Sequence, residues 1–343
     1  MTSALDERPV VILRPAPQRI DRIFTPPALA RLKERYRVVD LEGDPAESAV
    51  DAALPEAVAI IGQPDLPRER LDRALRLRAL LNVEGNFFPN VDYPSCFERG
   101  IHVLGCGPAY SQAVAEYALG LAIDLARGIS REDRAFREGR ERWVSASTAD
   151  SILLRGADMG FVGFGNIGRA LRPLLLPFGP VLRAYDPWLP DSVLRENGVI
   201  PMGLDELVAH STFLFVLATV TSESQRLLDG RRLDLVPAGA RLIFVSRAAV
   251  VDEDALLERI AANRFLAALD VWPVEPAPAD HRARTLDGVV LSAHRAGGIP
   301  QAFFEIGEMV LDDLAQIEKG LPPARMQAAT RELVGRYRNR PVS

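Results

Sequence analysis

Residues Met159 to Leu171 read MGFVGFGNIGRAL. Met159 to Gly163 have strand character, Gly163, Gly165 and Gly168 follow at GxGxxG spacing, and a helical pattern starts at Asn166. In such a turn the first glycine permits the tight bend, the second lets a pyrophosphate approach the backbone, and the third lets the helix pack closely on the strand. N–H groups at the helix start then face the phosphates. An acid stands where a ribose needs one: Asp186 closes the strand-like VLRAYD, 18 residues after Gly168. A carboxylate there accepts hydrogen bonds from ribose hydroxyls and repels a 2′-phosphate, which favours NAD over NADP. Arg183 lies upstream inside the strand, and Pro187 and Trp188 rather than a base follow Asp186. A lone GxGxxG is often only a turn. Strand, helix and spaced acid together give it weight.

At 343 residues the chain suits two domains. Its 48% hydrophobic and 25% charged residues are an ordinary globular composition. A net charge of −5, with no long basic run, argues against a nucleic-acid partner. The start, MTSALDERPVVIL, lacks the basic opening and long apolar core of a signal peptide. Apolar runs such as FLFVLA are strand-length, well short of the roughly 20 residues of a membrane helix. With only Cys96 and Cys106, both expected to be structural, a reduced cytoplasm is the simplest setting and no metal site is expected.

From the N-terminus, short apolar strands alternate with helical patterns. VVIL (Val10 to Leu13), RVVDL from Arg37, VAIIG (Val58 to Gly62), ALLNVE (Ala79 to Glu84) and HVLG (His102 to Gly105) predict a parallel sheet. Helices are expected near Pro27 to Tyr36 and in RERLDRALR. After Gly105 to Pro108, Ser111 can cap a helix rich in Ala113, Ala115, Ala118, Gly120 and Ala122, apolar nearly all round. It is either a core helix of one domain or a linker helix that also meets a second subunit. From Met159 a βαβαβ pattern continues through TFLFVLA, ARLIFVS, LAALDV and VVLSAH. The fold class expected is α/β, a Rossmann-type dinucleotide domain inserted in a flavodoxin-like α/β domain. The boundaries are residues 1–108 plus 300–343 for the discontinuous outer domain and 109–299 for the inserted one. The tail beyond Gly320, with Arg331, Arg336, Arg338 and Arg340, reads as a solvated end.

In a parallel sheet, ligands sit outside the carboxyl ends of the strands. Arg247 follows ARLIFVS, Glu275 lies in the loop after LAALDV, and His294 ends VVLSAH. Each alone is commonplace. Together they form a kit: a guanidinium forks onto a carboxylate and polarises a carbonyl, an imidazole titrates near neutrality, and a carboxylate keeps it protonated. Hydride transfer at a 2-hydroxy or 2-oxo acid suits that kit.

The runs SRAAVVDEDALLERI, AALDVWPVEP and VVLSAHRAGG resemble the signature of the D-isomer-specific 2-hydroxyacid dehydrogenases, with arginine, glutamate and histidine in that family's order. VAEYALGLAIDLAR resembles the family's interdomain helix, GFVGFGNIGRAL its dinucleotide loop, and NVEGNFFPNVDY its substrate-domain loop. The resemblance implies that the outer domain binds substrate. It implies that His294 exchanges the hydroxyl proton, that Glu275 orients the imidazole and raises its pKa, and that Arg247 holds the substrate carboxylate and carbonyl. Asp270 matches a contact to the nicotinamide carboxamide. Cofactor contacts are expected from Gly163, Gly165, Asn166, Ile167, Gly168, Asp186, Ser246, Asp270 and Gly297, and substrate contacts from Arg247 and the backbone of Glu84 and Gly85. The resemblance further implies a homodimer through the helix region 111–129, and a cleft that closes between domains.

Some features depart from the family pattern. Ala248 follows Arg247 where glycine is usual, which strains the loop if that position needs positive φ. Ala218-Thr219-Val220-Thr221 replaces a PxT-like turn, and the loop with Phe87, Phe88 and Pro89 is about two residues longer than in the family. Those aromatics either line a pocket for a large substrate or cover the domain's own core. Of Trp143, Trp188 and Trp272, the last shares its loop with Glu275. His102, His210 and His281 show no metal-ligand spacing. The leading expectation is an NAD-dependent D-2-hydroxyacid dehydrogenase working as a 2-oxo acid reductase; the alternative is an NAD(H)-responsive corepressor-like protein binder on the same fold.

Overall fold

The computed structural model of the protein describes residues 7–43, 47–146 and 148–336. Its strands are, in chain order, β1 Val10–Arg14, β2 Arg37–Asp40, β3 Ala57–Gly62, β4 Ala79–Asn82, β5 His102–Gly105, β6 Asp158–Val162 and β7 Val181–Tyr185. There follow β8 Ile200–Pro201, β9 Phe213–Val216, β10 Arg241–Phe244, β11 Leu266–Leu269, β12 Val289–Leu291 and β13 Gln327–Ala328. The chain divides into two compact units, Met1–Tyr110 with Ile299–Ser343, and Ser111–Gly298. The boundaries read from sequence differ from these by one or two residues.

The first unit holds a sheet in the order β13-β5-β4-β3-β1-β2, parallel except where β13 joins β5. Strand residues alternate between faces, and both faces are covered. Val11, Leu13, Ile61 and Leu81 pack with the helix Pro300–Glu318, whereas Ile12, Ile60 and Leu80 pack with Leu66, Leu71 and Phe87. Without β13, the order 2-1-3-4-5 is the flavodoxin-like one.

The second unit holds a wholly parallel sheet, β12-β11-β10-β9-β6-β7-β8. Chain direction across the sheet reverses between β6 and β9, so the topological switch point of a Rossmann domain lies there. Phe161 centres one face, with the rings of Phe164 and Phe215 each 5.7 Å away. Val162, Leu214, Leu242 and Leu269 build the other.

Four local expectations are corrected. Ser111 caps no helix: the helix runs Gly107–Arg127, because Pro108 in its first turn is compatible with a helix start one turn earlier. Ala115, Ala118, Ala122 and Ala126 on it are fully buried, as a core helix requires. Of RERLDRALR only Arg68–Leu71 is helical. The strands at the site stop short of the apolar runs that announce them, so His294 lies three residues beyond β12. The tail is only partly a solvated end: Arg331 and Arg336 are exposed, but the segment before them is docked. Met326 is buried, β13 adds to the sheet, and the Arg331 guanidinium lies over Phe97. The cause is Asp313, a buried carboxylate that accepts the N–H groups of Ala324, Arg325 and Met326 at 2.7–2.9 Å. Arg338 and Arg340 lie outside the described residues. Among the described residues no helix is long and apolar enough to cross a membrane.

Candidate active site

At the switch point β6 ends and the chain turns at Gly163, whose φ is +92°. A Cβ there would stand 2.9 Å from the Cα of Ala218, after β9, so only glycine fits. Around Gly165 a Cβ would meet nothing within 4 Å, which leaves room for phosphate against the backbone. The helix Asn166–Leu175 starts there with no side-chain cap from Gly165, and Ile167 and Gly168 lie in its first turn. Asp186, just after β7, reaches back to this loop: one carboxylate oxygen accepts Phe164 N–H at 2.8 Å and the other accepts Trp188 N–H at 3.0 Å. Ser246, two residues after β10, is buried, and its hydroxyl has no hydrogen-bond partner among the described residues. An open cradle, an acid beside it and an orphaned hydroxyl fit a dinucleotide.

Arg247, Glu275 and His294 follow β10, β11 and β12, three neighbouring strands, and so share the carboxyl edge of the sheet. His294 Nδ1 lies 2.7 Å from Glu275 Oε2, with both side chains about one-third exposed. Since a carboxylate only accepts, that nitrogen carries the proton and Nε2 is the other working atom. His294 has φ +48°, a conformation that persists only where its surroundings hold it. Asp270 does so. Its carbonyl accepts His294 N–H at 2.8 Å, and its buried carboxylate accepts the Ser292 hydroxyl and the N–H groups of Arg295 and Ala296, the latter two at 3.0 Å. The Asp270 carboxylate is thus engaged with the loop after β12, which continues to Gly297, a role not legible from the motif. Arg247 is extended, and its guanidinium donates to the Ser246 carbonyl at 2.8 Å. Ala248 opens a short 3-10 turn, Ala248–Val250, without positive φ, so the missing glycine costs the loop nothing.

In the first unit, Glu84 is buried, and its carbonyl accepts Cys106 N–H at 3.3 Å. A Cβ on Gly85 would stand 3.3 Å from the Cα of Gly107. Phe87 and Phe88 are both buried, Phe87 in the core, while the Tyr93 hydroxyl donates to the Phe88 carbonyl at 2.7 Å. The core-covering alternative therefore holds for Phe87. The PxT replacement closes on itself, the Ser224 hydroxyl donating to the Thr219 carbonyl and accepting Thr221 N–H, both at 2.7 Å. Among the described residues no group of three or more His, Cys, Asp or Glu side chains could hold a metal. Trp143 is exposed, but Trp272 contacts the site, and His281 beside it forms a pair with Glu253 that sequence reading missed. An indole packed against the core needs a partner for its N–H, which is the one signal for Trp272; nothing in the sequence joins residues 253 and 281.

Residues 119–296 match the family model described as D-isomer specific 2-hydroxyacid dehydrogenase, NAD binding domain. The chain is 32% identical to a hydroxypyruvate reductase of Thermotoga maritima over 64% of this chain and 70% of that one. It is 29% identical to a D-3-phosphoglycerate dehydrogenase of Archaeoglobus fulgidus over 78% of this chain, and spans about half the length of that relative. Among solved structures, a phosphoglycerate oxidoreductase from Rhizobium etli is 44% identical, with a TM-score of 0.87 over 94% of this chain and 99% of that one.

Proposed function

The chain belongs to the D-isomer-specific 2-hydroxyacid dehydrogenase family, and from that we propose that it reduces a 2-oxo acid to a D-2-hydroxy acid with NADH. The observation that carries this reading is the His294–Glu275 pair, held at 2.7 Å on the edge of the sheet that also carries the glycine-rich loop. A bound nicotinamide supplies the hydride. In reduction His294 donates its Nε2 proton to the carbonyl oxygen, and in oxidation it takes that proton back. Glu275 fixes the ring's orientation through Nδ1. Arg247 forks onto the substrate carboxylate and polarises the adjacent carbonyl, for which a planar guanidinium is suited. Glu84 and Gly85 are the proposed backbone contact of the other unit, on the resemblance of their loop. Gly163, Gly165, Asn166, Ile167, Gly168, Asp186, Ser246, Asp270 and Gly297 are assigned to the cofactor. Asp186 supports NAD over NADP, because a carboxylate there opposes a 2′-phosphate.

We also propose a homodimer. Ile129, Phe136, Trp143, Val144 and Leu153 are exposed within one short stretch of the chain, an apolar concentration that a second copy would cover. The named relatives are oxidoreductases, which weighs against the protein-binding alternative. The test is NADH and NADPH oxidation across 2-oxo acids graded by size, with sedimentation of the same sample. Turnover of one size class with NADH supports the reading; tight NADH binding without turnover of any acid would falsify it.

A further inference from the structure

Trp272, directly after Asp270 and Val271, makes two hydrogen bonds that converge on the proposed acid–base pair. Its backbone N–H donates to Glu275 Oε1 at 3.0 Å. Its indole N–H donates to the Ser292 carbonyl at 2.8 Å, two residues before His294. Glu275 uses its other oxygen on His294. One residue therefore grips both halves of the pair, the carboxylate through its main chain and the imidazole's loop through its side chain. The indole is supported from behind. His281 meets it edge-on, with ring centroids 5.2 Å apart and an interplanar angle of 79°. His281 Nδ1 accepts Ala283 N–H at 3.3 Å, which requires that nitrogen to be unprotonated, and Nε2 faces Glu253 Oε1 at 3.3 Å.

We propose that Trp272 is a positioning residue for His294 and Glu275, buttressed by His281 and Glu253. The inference rests on the reading of His294 and Glu275 as the acid–base pair. Asp270 holds the main chain around His294 but, among the described residues, makes no hydrogen bond to Glu275, whereas Trp272 ties the Ser292 carbonyl to the Glu275 carboxylate. A phenylalanine at 272 would fill much of the same space and keep the main-chain bond, yet would leave the Ser292 carbonyl without the indole donor. The bonds to Asp270 would still hold the His294 backbone, but the segment from Ser292 would lose its tie to the loop that carries Glu275, and the ring would lose its register against the carboxylate.

The test compares the full-length wild type with Trp272→Phe, His281→Ala and His294→Ala. A carboxylate-bound imidazole Nδ1–H gives a slowly exchanging downfield proton resonance in NMR, and His294→Ala assigns it among the four histidines. Trp272→Phe is expected to abolish or broaden that resonance, and His281→Ala to weaken it. In turnover, Trp272→Phe should lower kcat about tenfold, as small misplacements of reacting groups do, while KM for NADH and the melting temperature stay near wild type. A wild-type resonance and kcat in Trp272→Phe overturn the proposal, as does a wild type with no resonance assignable to His294. If the wild type reduces no 2-oxo acid, the functional reading fails, whereas the resonance still judges the positioning.

Discussion

The carboxylate of Asp186 accepts the backbone N–H of Phe164 at 2.8 Å, so the acid that closes β7 also clamps the glycine-rich turn after β6. A carboxylate oxygen retains lone pairs for further donors, and the same group can bind a ribose while it holds the loop. Asp186→Ala removes both functions. NADH affinity, followed by fluorescence titration, should fall about tenfold or more, equivalent to ~1.4 kcal/mol, and the preference for NADH over NADPH should narrow. Unchanged affinity and preference would remove Asp186 from the cofactor site.

His294→Ala should lower kcat by about a hundred- to ten-thousand-fold, the usual weight of a positioned general acid, with NADH binding preserved. Glu275→Gln keeps an acceptor for the imidazole N–H but removes the charge, so its loss should be smaller than that of His294→Ala. Steady-state kinetics beside direct NADH titration separates the two terms. Equal losses of binding and turnover in both variants would indicate structural damage instead.

Asp313 is a stability prediction far from any proposed chemistry. Its buried carboxylate collects three N–H groups of the segment before β13. Asp313→Ala leaves those donors without their acceptor and should cost about 3 kcal/mol, given ~1.5–3 kcal/mol for a hydrogen bond to a charged group and partial rescue by water. Urea unfolding measures the loss, and hydrogen exchange should show faster amide exchange at residues 324–328. Wild-type stability would show that the tail docks by apolar contact alone.

Burial pushes the Cys96 thiol up to about 12 and raises the Cys106 thiol as well. The reactive species is the thiolate, so a raised pKa means less of it at any pH below that value. At pH 8 neither thiol of the folded protein should react with a thiol-modifying reagent on a timescale of minutes, and both should react once urea unfolds the chain. Rapid modification of the native protein at pH 8 would contradict the burial of these side chains.

The features legible in the sequence are those fixed by neighbours along the chain. Gly163, Gly165 and the helix start at Asn166 lie in one turn, and Asp186 lies one strand away from it. The strand-end positions of Arg247, Glu275 and His294 follow from the alternation of apolar runs. What was not legible depends on contacts between distant segments. The Trp272 indole finds Ser292 across two loops, His281 finds Glu253 across a helix start, and Asp313 gathers a tail that reads as solvated. Phe87 and Phe88 have the same composition whether they line a pocket or a core, and only packing separates the two. Asp270 is the instructive case: the resemblance implied a cofactor contact, and nothing in the motif showed that its carboxylate also organises the backbone around His294.

The most direct measurement is transfer of deuterium from NADH labelled at nicotinamide C4 to a 2-oxo acid, with the product examined by NMR and chiral chromatography. The account predicts a 2-hydroxy acid of D configuration carrying deuterium at C2, formed by the wild type and almost absent with His294→Ala. A product of L configuration, a product without deuterium, or undiminished transfer by His294→Ala would contradict it.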